Sequence, residues 1–338
     1  MSKILGNALP NIPWQERPQD AKGPVWRHDK NPIIGRNPVE GVARIFNSAV
    51  CPFEDGFIGV FRGETINGRP HIYLGRSIDG IHWSFDRERI RFIDEHGILY
   101  QPLYAYDPRL LKIEDSYYII WCGDFDGASI GLAKTDDFKT FVRLENPFLP
   151  FNRNGVLFPR KVNGKYVMLS RPSDGGHTPF GDIMLSQSPD LKYWGEHRLV
   201  MQKGGHGWWQ SVKIGCGPAP IETDEGWLIF YHGVTETCNG YVYSMGGAIL
   251  DIDNPAIVKY RSGSFMLTPE EWYEERGFVP NVIFPCAALC DADTGRIAIY
   301  YGAADSYVAL AYTTVNEAIA FIKLHNELVG LDGTDGRI

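Results

Sequence analysis

The sequence predicts an all-β protein, and more narrowly a five-bladed β-propeller with a short helix insertion and an N-terminal arm. Two observations carry that expectation. The first is composition: 37 Gly and 22 Pro beside 18 Phe, 17 Tyr and 9 Trp in 338 residues suit many short strands joined by tight turns better than long helices. The second is repetition. An apolar strand, a second strand and a Ser/Thr-Asp-aromatic corner recur with starts roughly 50 to 65 residues apart, and about five such units fill residues 42–315. A single four-stranded blade cannot bury both of its faces, so repeats of this length imply a closed ring rather than a sandwich.

Taken in order, residues 1–40, rich in Pro, Asn and Trp, read as an arm that packs on the ring or on another subunit. Apolar alternating runs follow at 56–61, 116–121, 165–170, 226–232 and 295–301. Each is preceded by a turn such as Glu54-Asp55-Gly56 or Val162-Asn163-Gly164, the order expected of a hairpin. Further strands at 71–77 and 128–134 run into Ser77-Ile78-Asp79-Gly80-Ile81-His82-Trp83 and Thr135-Asp136-Asp137-Phe138-Lys139-Thr140-Phe141. Ser188-Pro189-Asp190-Leu191-Lys192-Tyr193-Trp194 is a third version of that corner. Residues 268–277, with Thr268 as N-cap, Pro269 in the first turn and Gly277 as a stop, read as a short surface helix inserted late in the ring. No Gly/Ser-rich linker divides the chain, so one catalytic domain over 1–338 is expected.

With 33 Lys and Arg against 41 Asp and Glu, the formal charge of −8 gives little electrostatic support to a nucleic-acid or acidic-membrane partner, although a local basic pocket is compatible with it. The N-terminal residues lack the continuous apolar core of a secretory signal, and no segment approaches the length of a membrane helix. The cysteines Cys51, Cys122, Cys216, Cys238, Cys286 and Cys290 form no CxxC pair and read as reduced, mostly buried small hydrophobes. A zinc site on Cys286 and Cys290 lacks a second close Cys/His pair, and no metal is expected. A cytoplasmic protein is the expectation.

In a propeller, polar side chains on inner strands converge at the channel mouth without being neighbours in sequence. Asn47, Ser48, Arg62, Asp107, Arg153, Lys213, His232 and Asp305 interrupt stretches that are otherwise apolar, Gly-rich or aromatic. Asp107, preceded by aromatics and followed by Pro108, reads either as a turn aspartate or as a partly desolvated acid suited to donating a proton. Arg153 and Lys213 taken singly fit surface ion pairs; together with Arg62 they could clamp a tetrahedral anion. His232 fits a satisfied core histidine or an imidazole donor to an anion. Tyr104, Tyr106, Trp208 and Trp209 near the same rim could stack on sugar rings. There is no GxGxxG, P-loop, HExxH or GxSxG, so nucleotide-cofactor and serine-hydrolase chemistry fall away.

An ordered series of motifs then resembles the mannoside phosphorylases of glycoside hydrolase family 130. It includes Arg36-Asn37-Pro38, Phe46-Asn47-Ser48-Ala49-Val50, Gly59-Val60-Phe61-Arg62 and Tyr106-Asp107-Pro108-Arg109. It continues through Asn152-Arg153-Asn154, Ser170-Arg171-Pro172-Ser173, Gly217-Pro218-Ala219-Pro220, Tyr231-His232-Gly233 and Tyr301-Gly302-Ala303-Ala304-Asp305. The resemblance implies a five-bladed propeller that cleaves β-mannosides with inorganic phosphate and releases α-mannose 1-phosphate with inversion. It implies Asp107 as the catalytic acid, acting through the mannose 3-hydroxyl, and a phosphate pocket of Ser48, Arg153, Lys213, His232 and Asp305. Asn47, Arg62, Asp107 and the aromatics Tyr104, Tyr106 and Trp208 would hold the mannose, with Arg62 open to either ligand.

An ordinary inverting glycosidase needs a second carboxylate to activate water; phosphate is already an anionic nucleophile, so a cationic clamp takes the place of the base. Phosphate is thus a co-substrate, and no cofactor is expected. Within the family the motifs resemble the subgroup acting on β-1,4-mannooligosaccharides and N-glycan core mannosides. The loops 64–70, 173–181 and 206–210 are the candidates for selecting the acceptor, and a homo-oligomer is plausible by the same resemblance. Two rival functions share the fold: an inverting β-mannosidase using water, and a non-catalytic glycan-binding propeller.

Overall fold

The computed structural model describes residues 1–124, 127–173, 181–205 and 208–328. Five mainly antiparallel sheets follow one another along the chain. The first contains Arg36–Val39, Val42–Phe53, Gly56–Thr65, Pro70–Ser77 and Ser84–Arg89. The second contains Ala105–Ile113, Ser116–Asp124, Ala128–Thr135 and Phe141–Arg143, extended at its outer edge by Phe92–Ile93 and Leu99–Tyr100. The third contains Asn152–Leu157, Tyr166–Pro172, Ile183–Ser188 and Gly195–Met201. The fourth is built from Lys213–Cys216, Gly226–Thr237, Gly240–Leu250 and Val258–Arg261, with Ile221–Thr223 paired alongside. The fifth contains Ile283–Cys290, Arg296–Ala303 and Tyr307–Thr314. The five-bladed propeller is therefore the observed architecture.

The core lies between blades. One apolar cluster joins Val50 and Phe61 of the first blade to Tyr300 and Leu310 of the fifth, and another joins Ile58 and Val60 to Ile119 and Trp121 of the second. Three more seal the second to the third, the third to the fourth and the fourth to the fifth. Strand alternation explains how one sheet serves two clusters: Tyr300 faces the first blade while Tyr301 faces the fourth.

The repeated corners recur at the level of single hydrogen bonds. The Asp79 carboxylate accepts from the backbone N–H groups of Ile81 and His82, Asp137 from Lys139 and Thr140, and Asp190 from Lys192 and Tyr193. Ser77, Thr135 and Ser188 each accept from the N–H three residues on. These are Asx- and ST-type turns leading into Ser84–Arg89, Phe141–Arg143 and Gly195–Met201 of the first three blades.

The arm packs on the ring. Trp26–Arg27 joins the fifth sheet, pairing Trp26 with Tyr312, so the N-terminal part of the chain supplies the outermost strand of the last blade. Arg36–Val39 belongs to the first sheet. The inserted helix is shorter than expected, Trp272–Glu275, and its N-cap is Glu271 rather than Thr268. Glu271 and Glu274 form a reciprocal capping box, whereas the Thr268 hydroxyl is paired with that of Ser244. A second helix, Val315–Leu324, was not anticipated. Thr314 caps it by accepting from the Glu317 N–H, and Val315, Ala318, Ile319 and Ile322 bury one face against the fourth and fifth blades. Among the described residues no helix is long and apolar enough to cross a membrane.

Candidate active site

Three inner strands carry bulges that converge on one cavity. The register of Val42–Phe53 shifts between Phe46 and Ser48, that of Ala105–Ile113 between Tyr106 and Arg109, and that of Asn152–Leu157 between Arg153 and Val156. Each displaced stretch holds a residue in the left-handed region: Asn47 at φ 49°, Asp107 at φ 50° and Asn154 at φ 54°. Asn and Asp tolerate this conformation better than other side chains, and a bulge re-aims a side chain that the pleat would otherwise direct into the blade. Across from Asn47, Gly302 leaves no room for substitution, since a Cβ there would stand 1.8 Å from Asn47 Oδ1.

The cavity measures about 510 Å3 and is lined by Asn47, Arg62, Tyr106, Asp107, Arg153, Asn154, Arg171, Ser173, Lys213, His232, Tyr243 and Asp305, with Val279, Val282 and Phe284. All five blades contribute. Its size lies within the roughly 300–1,000 Å3 of small-molecule sites.

One half mixes charges. Asp107 Oδ1 accepts from Asn47 Nδ2 at 2.6 Å and from an Arg62 terminal nitrogen at 2.9 Å. The other terminal nitrogen of Arg62 donates to Glu64 at 2.6 Å, and Glu64 in turn accepts from Arg44 Nε at 2.8 Å. The Arg62 guanidinium lies 4.3 Å from the Phe46 ring centroid and 5.2 Å from that of Tyr106, which fixes its plane. Burial disfavours its charge, but Asp107, Asp305 and Glu64 together raise its pKa. Asp305 sits in the turn between Ala303 and Tyr307 at φ 47°. Burial, with Asp107 and Glu64 nearby, raises its pKa to about 6 against the opposing pull of Arg62.

The other half is cationic. Arg153, Arg171 and Lys213 line it, and none of them has a carboxylate within ion-pairing distance among the described residues. Arg153 Nε donates to the Tyr106 hydroxyl at 3.0 Å, and Arg171 Nε donates to the Ser173 hydroxyl at 3.0 Å. Lys213 Nζ lies 5.2 and 5.3 Å from the ring centroids of Tyr241 and Tyr243. Burial lowers its pKa to about 8, reinforced by Arg171 and Arg153. His232 is wholly buried, and burial together with Arg171, Arg109 and Lys213 pushes its pKa well below the ordinary imidazole value. The ring is therefore neutral. Arg171 approaches its Nε2 at 3.0 Å and can only donate, so the ring proton sits on Nδ1, a buried atom without a protein partner. Three cations without a counter-charge among the described residues, beside a neutral imidazole, make a site for an anion.

Of the residues singled out in the sequence, Asn47, Arg62, Tyr106, Asp107, Arg153, Lys213, His232 and Asp305 meet in this cavity. Ser48, Tyr104 and Trp208 are not among its lining residues. Ser48 is fully buried beside Asn47, with its hydroxyl unpartnered in the protein. Tyr104 packs on Tyr106 at 5.9 Å between ring centroids. Trp208 is 66% exposed on a 3-10 turn, because its neighbour Trp209 takes the buried place against Gly233 and Gly246. Arg171, Tyr243, Asn154 and Glu64 were missed. Of the candidate acceptor loops, residues 174–180 and 206–207 lie outside the described residues. Among the described residues no three His, Cys, Asp or Glu side chains converge to hold a metal ion.

The family model for glycoside hydrolase family 130, described as β-1,4-mannooligosaccharide phosphorylase, matches residues 7–324. The chain is 55% identical to a β-1,4-mannooligosaccharide phosphorylase of Ruminococcus albus, covering 96% of this chain and 98% of that one. It is 36% identical to a β-1,2-mannobiose phosphorylase of Listeria innocua over 74% of this chain and 68% of that one. Among solved structures, a β-1,2-mannobiose phosphorylase from Listeria innocua in complex with β-1,2-mannobiose superposes with a TM-score of 0.79 at 27% identity, over 89% of this chain and 99% of that one.

Proposed function

The chain belongs to glycoside hydrolase family 130, the mannoside phosphorylases, and from that premise we propose that it acts on β-1,4-linked mannooligosaccharides with the two halves of its cavity dividing the work. It is an enzyme, and its reaction is inverting phosphorolysis of β-mannosidic linkages to α-mannose 1-phosphate. Phosphate is a co-substrate and not a resident cofactor. The β-1,4 linkage is supported by the 55% identical relative, against 36% for the β-1,2 enzyme.

In this reading Arg153, Arg171, Lys213 and the His232 ring that bonds Arg171 form the phosphate pocket, and Asn47, Arg62, Tyr106 and Asp107 hold the terminal mannose. Of the other residues expected at the same two ligands, Asp305 lines the cavity between its halves, Ser48 lies buried beside Asn47 and Tyr104 packs on Tyr106, whereas the exposed Trp208 takes no part. A phosphate oxygen forms the new bond to the anomeric carbon from the face opposite the leaving oxygen, which gives inversion. Asp107 supplies the proton that the leaving oxygen takes, by way of the mannose 3-hydroxyl. Its Oδ1 already accepts two donors, so Oδ2 is the oxygen left to carry that proton. Fixing the nucleophile beside the anomeric carbon removes much of the entropic barrier, and the cations screen phosphate from the charge that Asp107 gains as its proton leaves.

The observation that carries the reading is the set of three cations without carboxylate partners among the described residues, facing one Asn- and Arg-bonded aspartate across a single cavity. It also speaks against the water-using rival, which needs a general base where the cations stand. We further place the protein in the cytoplasm, where its six free cysteines would stay reduced.

The test is to incubate the protein with β-1,4-mannobiose, β-1,4-mannotriose, mannosyl-β-1,4-N-acetylglucosamine and β-1,2-mannobiose, with and without phosphate, following products by phosphorus and proton NMR. α-Mannose 1-phosphate should appear only with phosphate and fastest from a β-1,4-mannoside. Free mannose released equally in phosphate-free buffer would overturn the phosphorolytic reading, and preference for the β-1,2 disaccharide would overturn the linkage.

A further inference from the structure

Behind the proposed acid lies a charged chain that the reaction scheme does not use. Glu64 is 2% exposed and sits between two guanidinium groups: Arg62 donates to its Oε1 and Arg44 to its Oε2. Arg62 reaches onward to Asp107 Oδ1, while Arg44 is held from the far side by the Phe278 ring, 3.7 Å from its guanidinium carbon. The order is therefore Arg44, Glu64, Arg62, Asp107, with alternating charge throughout.

We propose that Glu64 is a positioning residue for Asp107: by taking half of Arg62's hydrogen bonds and part of its charge, it aims the guanidinium at Oδ1 and limits how strongly Arg62 holds Asp107 as a carboxylate. The reaction needs both effects. A carboxyl that must surrender a proton is poorly served by an undivided cation 2.9 Å away. A guanidinium shared with a second carboxylate keeps its geometry while exerting less pull. Glu64 is wholly enclosed, yet both its oxygens are satisfied by cations, which is the condition under which a buried carboxylate persists as an anion.

The remaining groups around Asp107 do not replace Glu64: Arg109 spends its donors on the Asp107, Pro108, Cys216 and Gly217 carbonyls, and Arg153 on the Tyr106 hydroxyl and the Ser173 carbonyl. Tyr243, Cys122 and Cys286 are kept neutral because burial raises their pKa values to about 12, 11 and 12. Arg171 on the third blade also feels the Asp107 charge, but it faces His232 and Ser173. Asp305 on the fifth blade acts on Asp107 as a like charge and makes no hydrogen bond to Arg62 that would direct it.

This inference rests on Asp107 as the acid, and its test is read on β-mannoside cleavage with or without phosphate. A wild type that hydrolyses instead of phosphorolysing would overturn the phosphate reading and leave this one standing. The measurement is kcat against pH, at saturating phosphate where phosphorolysis is followed, so that the bound anion keeps Lys213 charged. In Glu64→Gln, Arg62 turns its charge to Asp107, and the alkaline limb should move to lower pH by about one unit, an about tenfold loss on that side. In Arg44→Gln, Glu64 turns its charge to Arg62, and the limb should move the opposite way. The KM for phosphate should stay within about twofold in both. A merely structural role predicts losses without shifts, or shifts of the same sign; either pattern overturns the proposal. If Glu64→Gln does not fold, the sign of the Arg44→Gln shift decides. Carbon-13 titration of the Asp107 carboxyl, assigned with Asp107→Asn, makes the same comparison without turnover.

Discussion

The two halves of the cavity solve opposite electrostatic problems with similar side chains. Around Asp107 the charges pair, Asp305 excepted: Arg62 lies between two carboxylates, and Glu64 between two arginines. Around Lys213 the charges have none among the described residues, and Arg153 and Arg171 spend their hydrogen bonds on a tyrosine hydroxyl, a serine hydroxyl, carbonyls and a neutral imidazole. A chain of paired charges holds a geometry before any ligand binds, whereas unpaired cations store electrostatic free energy that an arriving anion releases. The difference teaches which half is built for a fixed task and which for a ligand.

Paired substitutions, one in each half, should break the comparison most strongly. Asp107→Asn keeps the shape of the mixed half and removes the transferable proton; kcat should fall by on the order of 10²–10⁴-fold, with the phosphate KM little changed. Arg171→Ala removes a cation and the donor that fixes the tautomer of His232; kcat/KM for phosphate should fall by about 10²-fold or more, chiefly through KM. Steady-state kinetics with phosphate and mannoside varied separately distinguish the two. Equal effects on KM and kcat in both variants would mean that the halves do not divide the work.

A smaller effect sharpens the cationic half. The Lys213 pKa, lowered to about 8 by burial and by Arg171 and Arg153, means that its charge is present below that pH and lost above it. The KM for phosphate should therefore rise from about pH 8 upward, several-fold by pH 9. Lys213→Arg, which holds its charge throughout this range, should flatten the rise. A profile identical in the variant would place the titration elsewhere.

How much of this could be read beforehand follows from how local each signal is. The ring was legible because its corners are local: Asp79, Asp137 and Asp190 each bond backbone groups two and three residues on, so their spacing repeats in the sequence. The Val315–Leu324 helix also had a local signature, Thr314 three residues before Glu317 and apolar positions at 315, 318, 319 and 322. It was overlooked beside the stronger strand pattern. The pairing of Trp26 with Tyr312 joins opposite ends of the chain, and nothing near either residue announces it.

The site divides in the same manner. Asp107 and Asn47 stand out because polar residues interrupt apolar strands, and their left-handed backbone suits Asp and Asn. Arg171 looks like the end of an ordinary strand, and its place is created by His232 on the next blade. Glu64 reads as the start of a loop until Arg44 is seen across the sheet. Trp208 and Trp209 are equivalent in sequence; only the notch formed by Gly233 and Gly246 decides which is buried.

The smallest expected effect lies at the border of the two halves and is seen in stability. The Asp305 pKa is raised in the folded protein to about 6 from an ordinary value of 3.8. Between those two values the folded state holds a proton that the unfolded state has released, so stability falls as pH rises through this window and the deficit is complete above about pH 6. The cost at pH 7 is roughly 2–3 kcal/mol by linkage. Asp305→Asn removes the charge while keeping a side chain that tolerates φ near 47°. It should raise the melting temperature at pH 7 by several degrees, and the gain should vanish near pH 4, where the wild-type carboxyl is protonated in the fold. Catalysis should suffer in the same variant, because a group retained against a stability cost is retained for the ligand it faces. Calorimetry at pH 4 and pH 7 checks the sign. A variant less stable than wild type at pH 7 would mean that Arg62 binds Asp305 more tightly than its burial opposes, and would move Asp305 from the unsatisfied side of the comparison to the satisfied one.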